Sequence, residues 1–223
     1  MRKLLSGLLK AAVLGVGVLA WLPDASAQSV PAVLAAQPAP AVDFAGAKAS
    51  PDARYMGRWI GDLADNQGMP FVIVDKKDAH IYVFDAAGKL VGHAAALLGL
   101  QPGDHSVQGI GQRALSQIQP WERTTPSGRF VSVPGRNLTG EQVIWIDHHQ
   151  GLAIHRIRTN SPHERRPQRL ASATPEDNRI SMGCVVVSLD FFENVVNATL
   201  GKTHAVIYVL PETRAVSEVF GLH

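Results

Sequence analysis

What most constrains this chain is a series of short runs of β-branched, aromatic and aliphatic residues that begins after Pro70. FVIVD, HIYVFD and KLVGHAAALLGL follow one another, with Lys76-Lys77-Asp78 and Ala86-Ala87-Gly88 between them. Runs this short, broken by turn residues, suit a meander of strands better than helices. GRFVSV (128–133), QVIWID (142–147), GLAIHRI (151–157), CVVV (184–187) and HAVIYVL (204–210) extend the pattern. The expected fold is mainly β, a sandwich or mixed sheet, with two short helices.

The first helix is expected within 51–69. Ser50-Pro51 supplies an N-cap and a first-turn proline, Met56, Trp59, Ile60 and Leu63 share a stripe, and Gly68 with Pro70 closes the segment. The second runs from Leu189 to about Ala198, with Ser188 as its N-cap and Asp190 in its first turn. Ahead of both, residues 28–50 are rich in Ala and Pro with almost no charge, which reads as an extended linker. Residues 1–27 read as an export signal: Arg2, Lys3 and Lys10 flank the apolar run 11–22, and Ala25-Ser26-Ala27 predicts cleavage after Ala27. Residues 70–223 then form the main domain.

Charge narrows the function. Losing Arg2, Lys3, Lys10 and Asp24 with the leader takes the formal net charge from +2 to zero, which argues against a nucleic-acid partner. Two G-x-G-x-x-A matches, at 15–20 and 109–114, sit in no βαβ unit and carry no nucleotide reading. His148, His149, His155 and His163 lack the spacing of a metal site, so no cofactor is expected. Two long polar stretches, 101–119 and 159–178, have the character of binding loops.

An exported chain with the single cysteine Cys184 forms no intrachain disulfide, so the thiol is inert, paired between chains, or chemically used. Gly183 ahead of it allows a turn that exposes the thiol at the start of a strand. His155, at the inner end of the apolar strand Leu152-Ala153-Ile154, is an imidazole that burial penalises unless it is hydrogen-bonded. A cysteine and a histidine on neighbouring strands are the minimum set for a thiol nucleophile with its acid and base.

Four features in order, over about residues 70–211, resemble the L,D-transpeptidase catalytic-domain family, the YkuD-like domain. FVIVDKKDAHIYVFDAAGKLVGH is similar to its opening meander and Thr125-Pro126-Ser127-Gly128-Arg129-Phe130 to its T-P-x-G-x-F turn. Ala153-Ile154-His155 is similar to its histidine strand and Ser181-Met182-Gly183-Cys184 to its S-H-G-C nucleophile motif. The resemblance implies a periplasmic, metal-independent enzyme that acts on peptidoglycan stem peptides through a thioester on Cys184. His155 would move the proton, Ser181 and Gly183 would shape the turn, and the Gly183-Cys184 amides would face the oxyanion. The acyl acceptor would be a second stem or a wall-anchored protein.

Met182 stands where the family usually has a second histidine and Val186 where Asn or Arg is usual, and the His155–Cys184 interval is long. Arg179 and Arg169, with Arg165 and Arg166 behind them, are candidates to hold a substrate carboxylate, and Met182 to line the site. An L,D-carboxypeptidase or a hydrolase releasing wall-linked proteins would use the same cysteine and histidine. A decayed cell-wall-binding module would use neither. An activated thiol is expected to alkylate well below pH 8.5.

Overall fold

The computed structural model describes residues 41–221, so the export signal and the linker up to residue 40 lie outside the described residues. The elements run α1 (Pro51–Leu63), β1 (Phe71–Asp75), β2 (His80–Phe84), β3 (Leu90–Ala95), β4 (Leu98–Gly99), β5 (Gly128–Arg136), β6 (Gln142–Asp147) and β7 (Leu152–Arg156). Then come α2 (Arg166–Leu170), β8 (Arg179–Ser181), β9 (Val185–Val187), a helical segment of α3 (Leu189–Phe191), a π-helical stretch (Phe192–Asn197) and α4 (Ala198–Leu200), then β10 (Ala205–Val209) and α5 (Val216–Phe220).

Eight strands form one mixed sheet in the order β3-β2-β1-β10-β5-β6-β7-β9, and β4 with β8 makes a separate parallel pair. The sheet curls. Backbone hydrogen bonds in both directions between Leu97, just past β3, and Val186 in β9 (2.7 and 2.9 Å) tie its two edges towards each other. The mainly β, mixed-sheet expectation is met, and α2 and α5, five residues each, add to the two helices read from the sequence.

Alternation along the central strands explains their unbroken apolar runs. Val72 and Val74, with Ile81, Val83, Ile207 and Val209, face a core that also takes Ile154, Val185 and, from the helical segment, Phe192, Val196 and Leu200. Phe71, Ile73, Tyr82, Phe84 and Tyr208 face the other way, beneath Met56 and Ile60 of α1. With both faces covered, every position of β1 and β10 is buried. The Ser50 hydroxyl caps α1 by accepting from the Ala53 amide at 3.0 Å, but Leu63, placed on the buried stripe by spacing, is 63% exposed.

The linker reading fails for its last residues. Phe44 is buried, edge-on to Tyr82 and Phe84 at centroid distances of 5.4 and 5.1 Å, and Asp43 exchanges backbone hydrogen bonds with Gly88 and Leu90. One aromatic ring with an apolar slot to fill is enough to anchor an Ala/Pro tract. At the end of β1, the fully buried Lys76 donates to Asp104 and to the Thr125 carbonyl, both at 2.8 Å. Asp104 also accepts from the Glu212 and Thr213 amides, both at 2.9 Å. Lys76 also pairs with Glu212 at 3.4 Å, so one buried ionic cluster joins the sheet, the 101–105 loop, the Thr125 turn and the C-terminal segment.

Candidate active site

β7 and β9 lie side by side and parallel, pairing Ile154 with Val185, His155 with Val186 and Arg156 with Val187. One step back along this register puts Cys184 level with Ala153, on the face that carries Ala153 and His155 and opposite to Ile154 in the core. Cys184 and His155 line one cavity of about 350 Å³. They do not hydrogen-bond to each other. Instead the half-buried thiol donates to the Gly151 carbonyl at 3.5 Å.

The turn that presents the thiol is held from three sides. Gly183 has φ +135°, and a Cβ there would stand 2.7 Å from the Thr124 carbonyl oxygen, so no larger residue fits this backbone. The buried Ser181 hydroxyl spans the turn, accepting from the Gly183 amide at 3.0 Å and donating to the Cys184 carbonyl at 2.6 Å. The buried Thr125 hydroxyl donates to the Gly183 carbonyl at 2.8 Å and accepts from the Gly99 amide at 2.9 Å. Ser181 therefore corrects the oxyanion expectation: the Gly183 amide is occupied inside the turn, and of the two amides named from the sequence the Cys184 amide alone is left for that role.

His155 has a defined tautomer. Its Nδ1 is 2.8 Å from the Arg156 carbonyl oxygen, which can only accept, so Nδ1 carries the proton and Nε2 keeps its lone pair. Burial, aided by the Arg158 and Arg166 charges and opposed by that hydrogen bond, holds the imidazole below its ordinary value. Burial also pushes the Cys184 thiol up, against the Ala153 amide and the same two arginines, which pull it down. The resting pair is therefore a neutral thiol and a neutral imidazole, not an ion pair, and the expected alkylation well below pH 8.5 does not fit this environment.

The long loops both reach the cavity, the first through Ser106, Ile110, Leu115 and Ile118, the second through Asn160, Ser161, Glu164 and Arg166. Met182 lines it too. Two proposed arginines do not. Arg179 forms an ion pair with Glu212 and donates to the Lys76 carbonyl at 2.8 Å, which places it in the buried network. Arg169 donates to the Glu164 and Asp177 carbonyls, both at 2.9 Å, and braces its own loop. Arg165 likewise lies outside the cavity, whereas Arg166 lines it. Val186 is fully buried with its backbone bonded to Leu97, a position with no opening for a substrate-binding Asn or Arg.

Sequence reasoning missed Arg158, Arg113, Gln150 and Trp145, all in the cavity wall. Arg158 carried a usable signal, since it follows His155 by three residues at the mouth where β7 ends. The others are brought in by the fold from separate elements. Among the described residues no group of three or more His, Cys, Asp or Glu could hold a metal ion, and no helix is long and apolar enough to cross a membrane.

No protein-family model matches the chain, and no curated protein does. Solved structures do. The catalytic domain of the Enterococcus faecium L,D-transpeptidase matches at 17% identity and a TM-score of 0.39, over 63% of this chain and 96% of that one. The Xylanimonas cellulosilytica L,D-transpeptidase matches at 16% identity and 0.38, over 63% and 59%. The helical cell shape determining protein Pgp2 of Campylobacter jejuni matches at 13% and 0.41, over 66% and 49%. The chain thus spans between about half and three-fifths of the length of the last two.

Proposed function

We propose that this protein is a cysteine-dependent L,D-transpeptidase of the cell envelope, acting on peptidoglycan stem peptides. The observation that carries the reading is a thiol on a glycine-dependent turn and an imidazole with a free Nε2, facing one cavity from adjacent strands. The four ordered sequence motifs supply the substrate class.

In this scheme the donor carbonyl, that of the third stem residue, is seated by the cavity against Cys184. As sulfur attacks, its proton leaves the Gly151 carbonyl for Nε2 of His155, and a C–S bond forms at the carbonyl carbon. The imidazolium, still held through Nδ1 by the Arg156 carbonyl, gives that proton to the departing amine of D-alanine as the C–N bond breaks. The thioester is then attacked by an acceptor amine whose proton passes to Nε2, and the thiolate leaves and is reprotonated. The Cys184 amide is the donor assigned to the oxyanion.

The test is incubation of residues 28–223, wild type and Cys184→Ala, with tetrapeptide muropeptides, followed by mass spectrometry. The reading expects dimers joined at third stem residues, absent with the variant. Tripeptide and free D-alanine alone would replace transpeptidase with carboxypeptidase. No Cys184-dependent product across several stem chemistries would overturn the enzyme and leave a wall-binding module.

A further inference from the structure

The cavity wall carries more positive charge than its neutral chemistry needs. Its charged residues are Arg113, Arg158, Arg166 and Glu164. Arg113 is committed, with both terminal nitrogens on Glu122 at 3.1 and 3.0 Å. The other two are underused. Arg166 donates through Nε to Glu164 at 2.6 Å and makes no other hydrogen bond among the described residues, which leaves both its terminal NH₂ groups. Arg158 meets Glu141 through one terminal nitrogen, shares that carboxylate with Arg156, and has a buried Nε with no partner. Guanidinium groups with idle donors beside an apolar cavity are poised for a planar anion, which they bind in a fork.

Both arginines line the same cavity as Cys184 and His155, so an anion they bind shares the space that seats the reacting carbonyl. We infer that Arg158 and Arg166 form an anion subsite that takes a carboxylate of the acyl donor and fixes its carbonyl against Cys184. The inference rests on the transpeptidase reading and deepens it by naming what the donor must carry. Two sources on a tetrapeptide have this chemistry: a carboxylate on the side chain of the third residue, and the terminal carboxylate of the leaving residue. In either case a lost carboxylate leaves the idle donors of both guanidinium groups unmatched, and the penalty falls on kcat/KM.

The test uses four soluble tetrapeptide donors, with the third-residue side-chain carboxylate free or amidated and the C-terminal carboxylate free or amidated. Formation of the Cys184 thioester is followed by intact-protein mass spectrometry. Wild type is expected to favour donors with the bound carboxylate about 10- to 100-fold in kcat/KM, the size of a charge-assisted hydrogen bond. The arm that shows the preference names the source. Arg158→Gln and Arg166→Gln are each expected to shrink that ratio at least fivefold, and Arg158→Lys to restore part of it. Because the ratio is taken within one preparation, partial unfolding of a variant leaves it unchanged. Equal wild-type rates on all four donors, or a preference that survives both variants, would overturn the subsite while leaving the transpeptidase. No Cys184 adduct with any donor would overturn the transpeptidase reading and this inference with it.

Discussion

Thr125 gives the most direct way to ask whether the nucleophile turn is positioned by its neighbours. Thr125→Val keeps the shape of a fully buried side chain and removes one oxygen, so the perturbation is a pair of hydrogen bonds and no cavity. The bonds lost are those to the Gly99 amide (2.9 Å) and the Gly183 carbonyl (2.8 Å). A buried backbone donor and a buried acceptor left unpaired cost about 1–3 kcal/mol each, so the variant should lose about 2–6 kcal/mol. A domain is stable by only about 5–15 kcal/mol, so this is a large fraction. Thr125→Ser keeps the hydroxyl, loses one methyl, and should cost about 1 kcal/mol. Urea unfolding followed by tryptophan fluorescence measures both. Below the unfolding transition, thioester formation should slow more in the valine variant than in the serine variant, because Gly183 is no longer held. A valine variant within about 0.5 kcal/mol of wild type, with wild-type thioester kinetics, would refute the reasoning, because that is the scatter of surface substitutions.

Further outcomes follow from the same geometry. Gly183→Ala places a Cβ 2.7 Å from a backbone oxygen at φ +135°, and strain of about 1–3 kcal/mol from the backbone alone should displace Cys184 and abolish adduct formation, read by mass spectrometry. The iodoacetamide rate of the wild-type thiol should keep rising with pH beyond the ordinary thiol value of about 8.5, and Arg158→Gln should move the curve higher still; a plateau at neutral pH would contradict both. Lys76→Met takes the contacting cation from the buried Asp104, leaving Arg214 at 4.0 Å, and should cost about 3–5 kcal/mol in urea unfolding. Burial raises the Asp104 carboxyl, but Lys76, Thr213 and the Glu212 amide outweigh it and hold it well below the ordinary range. Its contribution is therefore present above about pH 4, the unfolded value, and lost as pH falls. The acid limb of stability against pH should flatten in the methionine variant. His80, half-buried beside His93, is expected to titrate at about 4 by NMR, held down by partial burial and the neighbouring imidazole.

The centre of the sheet was legible because β1, β9 and β10 are buried along their whole length and so announce themselves as unbroken apolar runs. β8 was not. Arg179-Ile180-Ser181 is a strand only because β4, some 80 residues earlier, lies beside it. Phe44 shows the same limit inside an Ala/Pro tract, where one ring decides the packing. At the site, Cys184 and His155 could be singled out because each is a costly residue in an apolar setting. The arginines could not be sorted, because what separates Arg179 from Arg158 is a carboxylate 33 residues away, Glu212, that neutralises one and leaves the other partly idle. Charge is visible in a sequence, and its neutralising partner is a property of the fold.

The order of strands fixes the order in which the chain can become a protein. β1, the third strand to count from one edge, pairs on one side with β2 and on the other, in parallel, with β10. During synthesis the first hairpin can form at once, but its most apolar flank stays bare until residues 205–209 emerge, and β5 waits for the same strand. The last strand made is thus the seam between two half-sheets. A chain interrupted between Arg136 and Ala205 holds two unfinished edges, each a template for a foreign strand, and gains cooperativity only when the final segment arrives.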